Sequence, residues 1–125
     1  MHRRTGTNIH LPSGEVIRSA READHSEGVL ASGRRYYVAP GSYLVEFQID
    51  VDGCESQGDV AMVDIALHGG RQILASGHVP STFSEEKKVI YIDIDDYIAI
   101  EPRVYYKGCG NIVLRKIRIS KINYK

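Results

Sequence analysis

From Val29 onward apolar and polar residues alternate with a period of two, the pattern of strands that bury one face. The clearest run covers residues 43–52. Tyr43, Val45, Phe47, Ile49 and Val51 fall on one face, and Leu44, Glu46, Gln48, Asp50 and Asp52 on the other. Ahead of it Ala39-Pro40-Gly41-Ser42 reads as a type II turn, with Pro presetting φ and Gly accepting a positive one. A second strand over residues 60–68 turns Ala61, Val63, Ile65 and Leu67 one way, and His68-Gly69-Gly70 leads into a return strand over 71–75. Glu85-Glu86-Lys87-Lys88 reads as a solvated turn. Residues 89–95 then put Ile90, Ile92 and Ile94 inward and Tyr91, Asp93 and Asp95 outward. Pro102 is expected to separate strands over 97–101 and 103–107. In 111–122 the apolar phase slips between Leu114 and Ile117, which predicts a β-bulge near Arg115-Lys116.

Residues 1–28 are polar, with a weak apolar set at Ile9, Leu11, Val16 and Ile17. They read as a lead-in holding one edge strand, or one short helix over residues 15–24. No window from Val29 on keeps a 3.6-residue spacing. About eight short strands at spacings of roughly 8 to 12 residues make residues 29–125 a single all-β domain, an antiparallel β-sandwich. A jelly roll is the preferred closure, and a small up-and-down barrel is the alternative.

Composition narrows the function by exclusion. The 125 residues carry 16 Lys plus Arg and 16 Asp plus Glu, a net charge of +0. That balance argues against nucleic-acid binding, which rests on surplus basic charge. No apolar run approaches the roughly 20 residues of a membrane span. No apolar stretch follows Arg3 and Arg4, so no secretory signal is read, and the expected location is cytoplasmic unless the chain is a piece of a longer protein. Cys54 and Cys109 both sit in Gly-rich turns. A bridge between them is possible, and two free thiols in a reducing compartment is the preferred reading.

Catalytic signatures are weak. His2, His10, His25, His68 and His78 are scattered, and only His68 and His78 flank one predicted hairpin. There is no Gly-x-Ser-x-Gly elbow and no Cys in an activating setting. Asp50, Asp52, Asp93 and Asp95 are weak calcium candidates, read more simply as solubilising charges at strand ends. No cofactor is expected, and a small cupin-like metal enzyme is the least favoured function.

The chain has 8 Tyr, 2 Phe and no Trp. Neighbours on a strand point to opposite faces, so Tyr36-Tyr37 and Tyr105-Tyr106 each give one inward and one outward ring. Tyr91 and Tyr97 lie on or beside the outward set of Asp93 and Asp95. With Arg34 and Arg103 nearby, such a face suits a sugar, whose C–H faces stack on rings while its hydroxyls take polar partners. The candidate ligand-binding set is Tyr36, Arg34, Arg103, Tyr105, Tyr106, Tyr97 and Tyr91. The alternative is a structural or oligomerisation module that uses the same face as a protein interface, as in a homo-oligomer.

The runs YYVAPGSYLVEFQIDV, DVAMVDIALHGGRQILASGHV and EPRVYYKGCGNIVLRKIRISKI carry a resemblance through Pro40, Gly41, Tyr43, Val45, Phe47, Gly69, Gly70, Arg103, Tyr105, Leu114, Ile117 and Ile119. Over about residues 29–122 the chain resembles galactose-binding-like jelly rolls of the carbohydrate-binding-module type. The resemblance implies a lectin-like, non-catalytic glycan-binding module, accessory to polysaccharide-processing machinery. The missing Trp implies short or soluble glycans.

Overall fold

The computed structural model describes residues 4–13, 16–22, 25–32, 35–52, 58–67, 71–85 and 87–122. Among them are ten strands: β1 (Thr7–His10), β2 (Val16–Arg21), β3 (Gly28–Ala31), β4 (Tyr36–Val38), β5 (Gly41–Asp52), β6 (Asp59–Leu67), β7 (Gln72–Pro80), β8 (Lys87–Ile94), β9 (Ile98–Tyr106) and β10 (Asn111–Ile122). They form two antiparallel sheets. The first runs β1-β2-β10-β5-β8, and the second β3-β9-β6-β7, with β4 also on the β3 edge of β9. The all-β sandwich expected from the alternation is what forms.

The core is the sum of the inward sets. Phe47 and Ile49 of β5, Ile65 of β6, Ile100 and Tyr106 of β9 and Ile112 of β10 are fully buried, with Leu30 of β3 among them. Each such side chain contributes about 1.5–3 kcal/mol of burial. Inward and outward positions on β5 and β8 follow the predicted phase, with Ile90, Ile92 and Ile94 buried and Tyr91 and Asp93 exposed. The predicted bulge is present too. The β10–β5 register shifts between Leu114 and Lys116.

Three local expectations are corrected. Of the two readings of the lead-in, strand or helix, the strand forms: β1 is the edge, and residues 16–21, where the helix was expected, form β2, paired to β1 on one side and β10 on the other. Its burial does not alternate, because the small Ser19 and Ala20 are both buried beside Ile17. Sequence periodicity therefore cannot see it. Pro102 does not break a strand but lies buried within β9, opposite Ile65 of β6. On the other edge of β9, β3 pairs only as far as Val104 and β4 only from Ile100. Pro102 faces the gap between them, where its missing N–H leaves no ladder partner unsatisfied. Finally, Cys109 is disulfide-bonded, which overturns the free-thiol reading. The only other cysteine, Cys54, lies outside the described residues. Nearest to Cys109 in the ladder, Asn111 of β10 pairs with Asp52 of β5.

Candidate functional site

The second sheet turns one face to the core and one outward, and β9 is its axis. Ile100, Val104 and Tyr106 point inward, and Ala99, Glu101, Arg103 and Tyr105 outward. The outer face therefore has two ends, one around Tyr105 and one around Ala99.

At the first end, Tyr105 stands between Val29 of β3 and Met62 of β6, and Met62 is opposite His78 of β7. Two residue pairs along, on the same face, Arg103 faces Asp64 across the ladder. The guanidinium donates to both carboxylate oxygens, Nε to Oδ1 at 2.7 Å and Nη2 to Oδ2 at 2.9 Å. This hydrogen-bonded pairing holds Arg103 above the usual guanidinium range. Val29, Met62, Asp64, Arg103, Tyr105 and Lys107 line a hollow of about 320 Å³. Its polar groups are engaged with one another, and Lys107 Nζ sits 5.9 Å from the centre of the Tyr105 ring. Beside it, His78 Nδ1 meets Asp59 Oδ2 at 2.7 Å. Burial, then the charge and hydrogen bond of Glu27, push the Tyr105 hydroxyl above its ordinary range.

At the other end, β4 places Tyr37 opposite Ala99 and Val38 opposite Ile98. Tyr37 is 84% exposed and Tyr97 79%. Tyr97 precedes β9 by one residue, and the Asp96 carboxylate accepts its N–H at 2.8 Å, which fixes the bend that presents the ring. Tyr37, Val38, Ala39, Tyr97, Ile98 and Ala99 line a shallow cleft of about 610 Å³. Two rings thus share one cleft with small and apolar residues. No ion pair involves a lining residue there among the described residues.

The predicted site residues divide accordingly. Arg103 and Tyr105 share the first hollow, and Tyr97 belongs to the second cleft. Tyr91 is 71% exposed but lies on β8, in the opposite sheet. Tyr106 is no ligand contact. Its ring is fully buried and its hydroxyl donates to the Gly110 carbonyl at 2.5 Å, across a turn that needs Gly110 at φ 72°. Tyr36 is half-buried and faces a groove on the other side of β4. Arg34 and His68 lie outside the described residues. Tyr37 is the site residue that the sequence reading left out. The alternation rule required one outward ring from Tyr36-Tyr37, but a three-residue strand has no phase of its own to say which.

The calcium candidates do not assemble. Asp50 accepts a bond from Arg115 Nε at 2.5 Å near one end of β5. Asp93 accepts from Ser42 Oγ at 2.6 Å near the other end. Eight residues of extended strand between Ser42 and Asp50 span about 27 Å. Among the described residues no group of three or more His, Cys, Asp or Glu could hold a metal ion.

No family model matches the chain, and no curated protein matches it. Solved structures do. The C-terminal CBM6 of LamC, a marine laminarinase from Zobellia galactanivorans, aligns over 97% of this chain and 91% of its own, with TM-score 0.58 and 15% identity. The fold is that of the carbohydrate-binding modules. A CBM4 structure aligns over 97% of this chain and 78% of its own, with TM-score 0.62 and 11% identity. The CBM6cm-2 module of Cellvibrio mixtus lichenase 5A, solved with cellotriose, covers 98% of this chain and 91% of its own at TM-score 0.57 and 17% identity. At these identities the likeness to such modules is one of architecture, the jelly-roll β-sandwich.

Proposed function

We propose that the chain is a non-catalytic glycan-binding module whose sugar lies between Tyr37 and Tyr97. The observation that carries this is the pair of almost fully exposed rings in one cleft floored by small and apolar residues. Exposed tyrosines can stack on the C–H face of a sugar while their hydroxyls remain available to its polar edge. Tyr37 is opposite Ala99, and Tyr97 is two residues before Ala99. The cleft is shallow and open, so affinity is expected between millimolar and micromolar, on the order of −4 to −8 kcal/mol.

The ligand proposed is a short, soluble, neutral oligosaccharide, and the role is accessory to polysaccharide-processing machinery. Two considerations support this: the likeness to modules such as the one solved with cellotriose, and a cleft lining that carries no charged side chain. The Cys109 disulfide favours an oxidising compartment, because the cytoplasmic reading assumed free thiols. An amide-resolved NMR titration with cellotriose and laminaritriose tests the reading. Shifts confined to residues 37–39 and 97–99 are expected. Silence with both, and with other neutral oligosaccharides, removes it.

A further inference from the structure

The bulge in β10 leaves the second half of that strand without a neighbour on one side. β10 pairs with β2 only through Leu114, so among the described residues 115–122 have β5 on one edge and no strand on the other. Outside the ladders, no backbone hydrogen bond among the described residues reaches that edge. Eight residues of strand present about 27 Å of it, with alternate N–H and C=O groups pointing away from β5.

The two faces of this half-strand differ. Ile117 and Ile119 stand opposite Phe47 and Val45, so they point between the sheets. Phe47 and Val45 are fully buried, but Ile117 and Ile119 are only half-buried, because no strand lies beside them on the bare edge. With Tyr36 and Pro102 of the second sheet they line an open groove of about 670 Å³. The second sheet is itself thin there, since β3 pairs only as far as Val104 and β4 only from Ile100. Lys116 and Arg118 stand opposite Gln48 and Glu46, on the outward face. Glu46 is already held by Lys87 at 3.2 Å, and neither Lys116 nor Arg118 has an ion pair with a described residue.

Residues 115–122 include Arg115, Lys116, Arg118 and Lys121 and no carboxylate. Such charges guard a free edge against a second copy of itself, because pairing would set like charges opposite one another. The same charges favour a strand whose outward side chains are acidic. We infer that the bare edge of β10 docks an extended segment of a protein partner in which acidic and apolar residues alternate. Residues opposite one another in a ladder share a face. The apolar side chains of the added strand therefore enter the groove over Ile117 and Ile119, and its carboxylates meet Lys116 and Arg118. Main-chain bonds to residues 115–122 complete the sheet, the mode of recognition by strand addition. The surface is separate from the Tyr37–Tyr97 cleft and stands or falls independently of it.

The test adds to the intact chain a capped hexapeptide that alternates Glu with Val or Ile, followed by calorimetry and by amide hydrogen exchange. Two comparison peptides carry Lys in place of Glu, or the same residues with every Glu grouped at one end. The alternating acidic peptide should bind more tightly than either. It should also slow exchange at alternate amides within 115–122, the mark of a new ladder that charge attraction alone does not leave. Raising salt from about 0.1 M to 1 M shortens the screening length from about 10 Å to 3 Å and should weaken binding severalfold. The double variant Lys116→Gln with Arg118→Gln, both at exposed positions, should weaken it about tenfold, the loss expected when two opposite-charge cross-strand pairs go. Any of four results overturns the inference: the acidic peptide does not bind, a comparison peptide binds as tightly, the double variant binds as well as the parent, or the slowed amides lie outside 115–122.

Discussion

The two ends of the outer face of the second sheet carry similar residues and come to different ends. Around Tyr105 the polar groups satisfy one another: Arg103 with Asp64, His78 with Asp59, and Lys107 over the Tyr105 ring. The adjoining turn is fixed by the Tyr106–Gly110 hydrogen bond and by the Cys109 disulfide. Around Ala99 the ion pair found among the described residues is the long Arg35–Glu101 contact at 3.9 Å, outside the cleft lining, and Tyr37 and Tyr97 stand almost wholly in solvent. A face rich in Tyr, Arg and Asp is not by that fact a binding face. At the Tyr105 end the charged groups already have partners, whereas the other end offers rings that ligand contact alone would bury.

If the Tyr105 end is an anchor, its variants should move stability and leave binding alone. Tyr106→Ala should have the largest effect, about 3–5 kcal/mol for an emptied aromatic site, read from denaturant unfolding. Tyr106→Phe keeps the ring and should cost about 1–3 kcal/mol, because the Gly110 carbonyl loses its buried donor. Reducing the disulfide should come next, lowering stability by about 2–4 kcal/mol and so the melting temperature. A protein indifferent to reductant would remove the Cys109 turn from the anchor. Smallest is Arg103→Ala with Asp64→Ala, expected to change stability by about 1 kcal/mol for a pair that is only about a quarter exposed and loses both partners together. Oligosaccharide binding should stay within twofold of the parent in that double variant. A large loss of binding there would make the Tyr105 hollow the site after all.

Much of this was legible in the chain, and the limits have physical reasons. Alternation through residues 43–52 and 89–95 gave the faces of β5 and β8, and the slip after Leu114 gave the bulge. Strand β2 was hidden because Ser19 and Ala20 bury without being large or strongly apolar. Pro102 was misleading because its tolerance depends on β3 ending short of it and β4 beginning beyond it, a fact about other strands. The disulfide depended on β5 and β10 lying side by side at Asp52 and Asn111. For the site, the tyrosine pairs announced that one ring of each faces out. Which ring does so follows from register: Tyr105 faces out and Tyr106 in, with Tyr37 out and Tyr36 turned to the groove.

The central claim is that Tyr37 and Tyr97 hold the sugar and Tyr105 does not. Calorimetric titration of cellotriose into the parent chain, into Tyr37→Ala with Tyr97→Ala, and into Tyr105→Ala compares them directly. Losing two central aromatic contacts should cost about 2 kcal/mol or more, roughly a 30-fold weaker affinity, with the melting temperature unchanged because both rings are exposed. Tyr105→Ala should bind within about twofold of the parent. The account is contradicted if the order is reversed, with Tyr105→Ala abolishing binding and the Tyr37, Tyr97 variant retaining it.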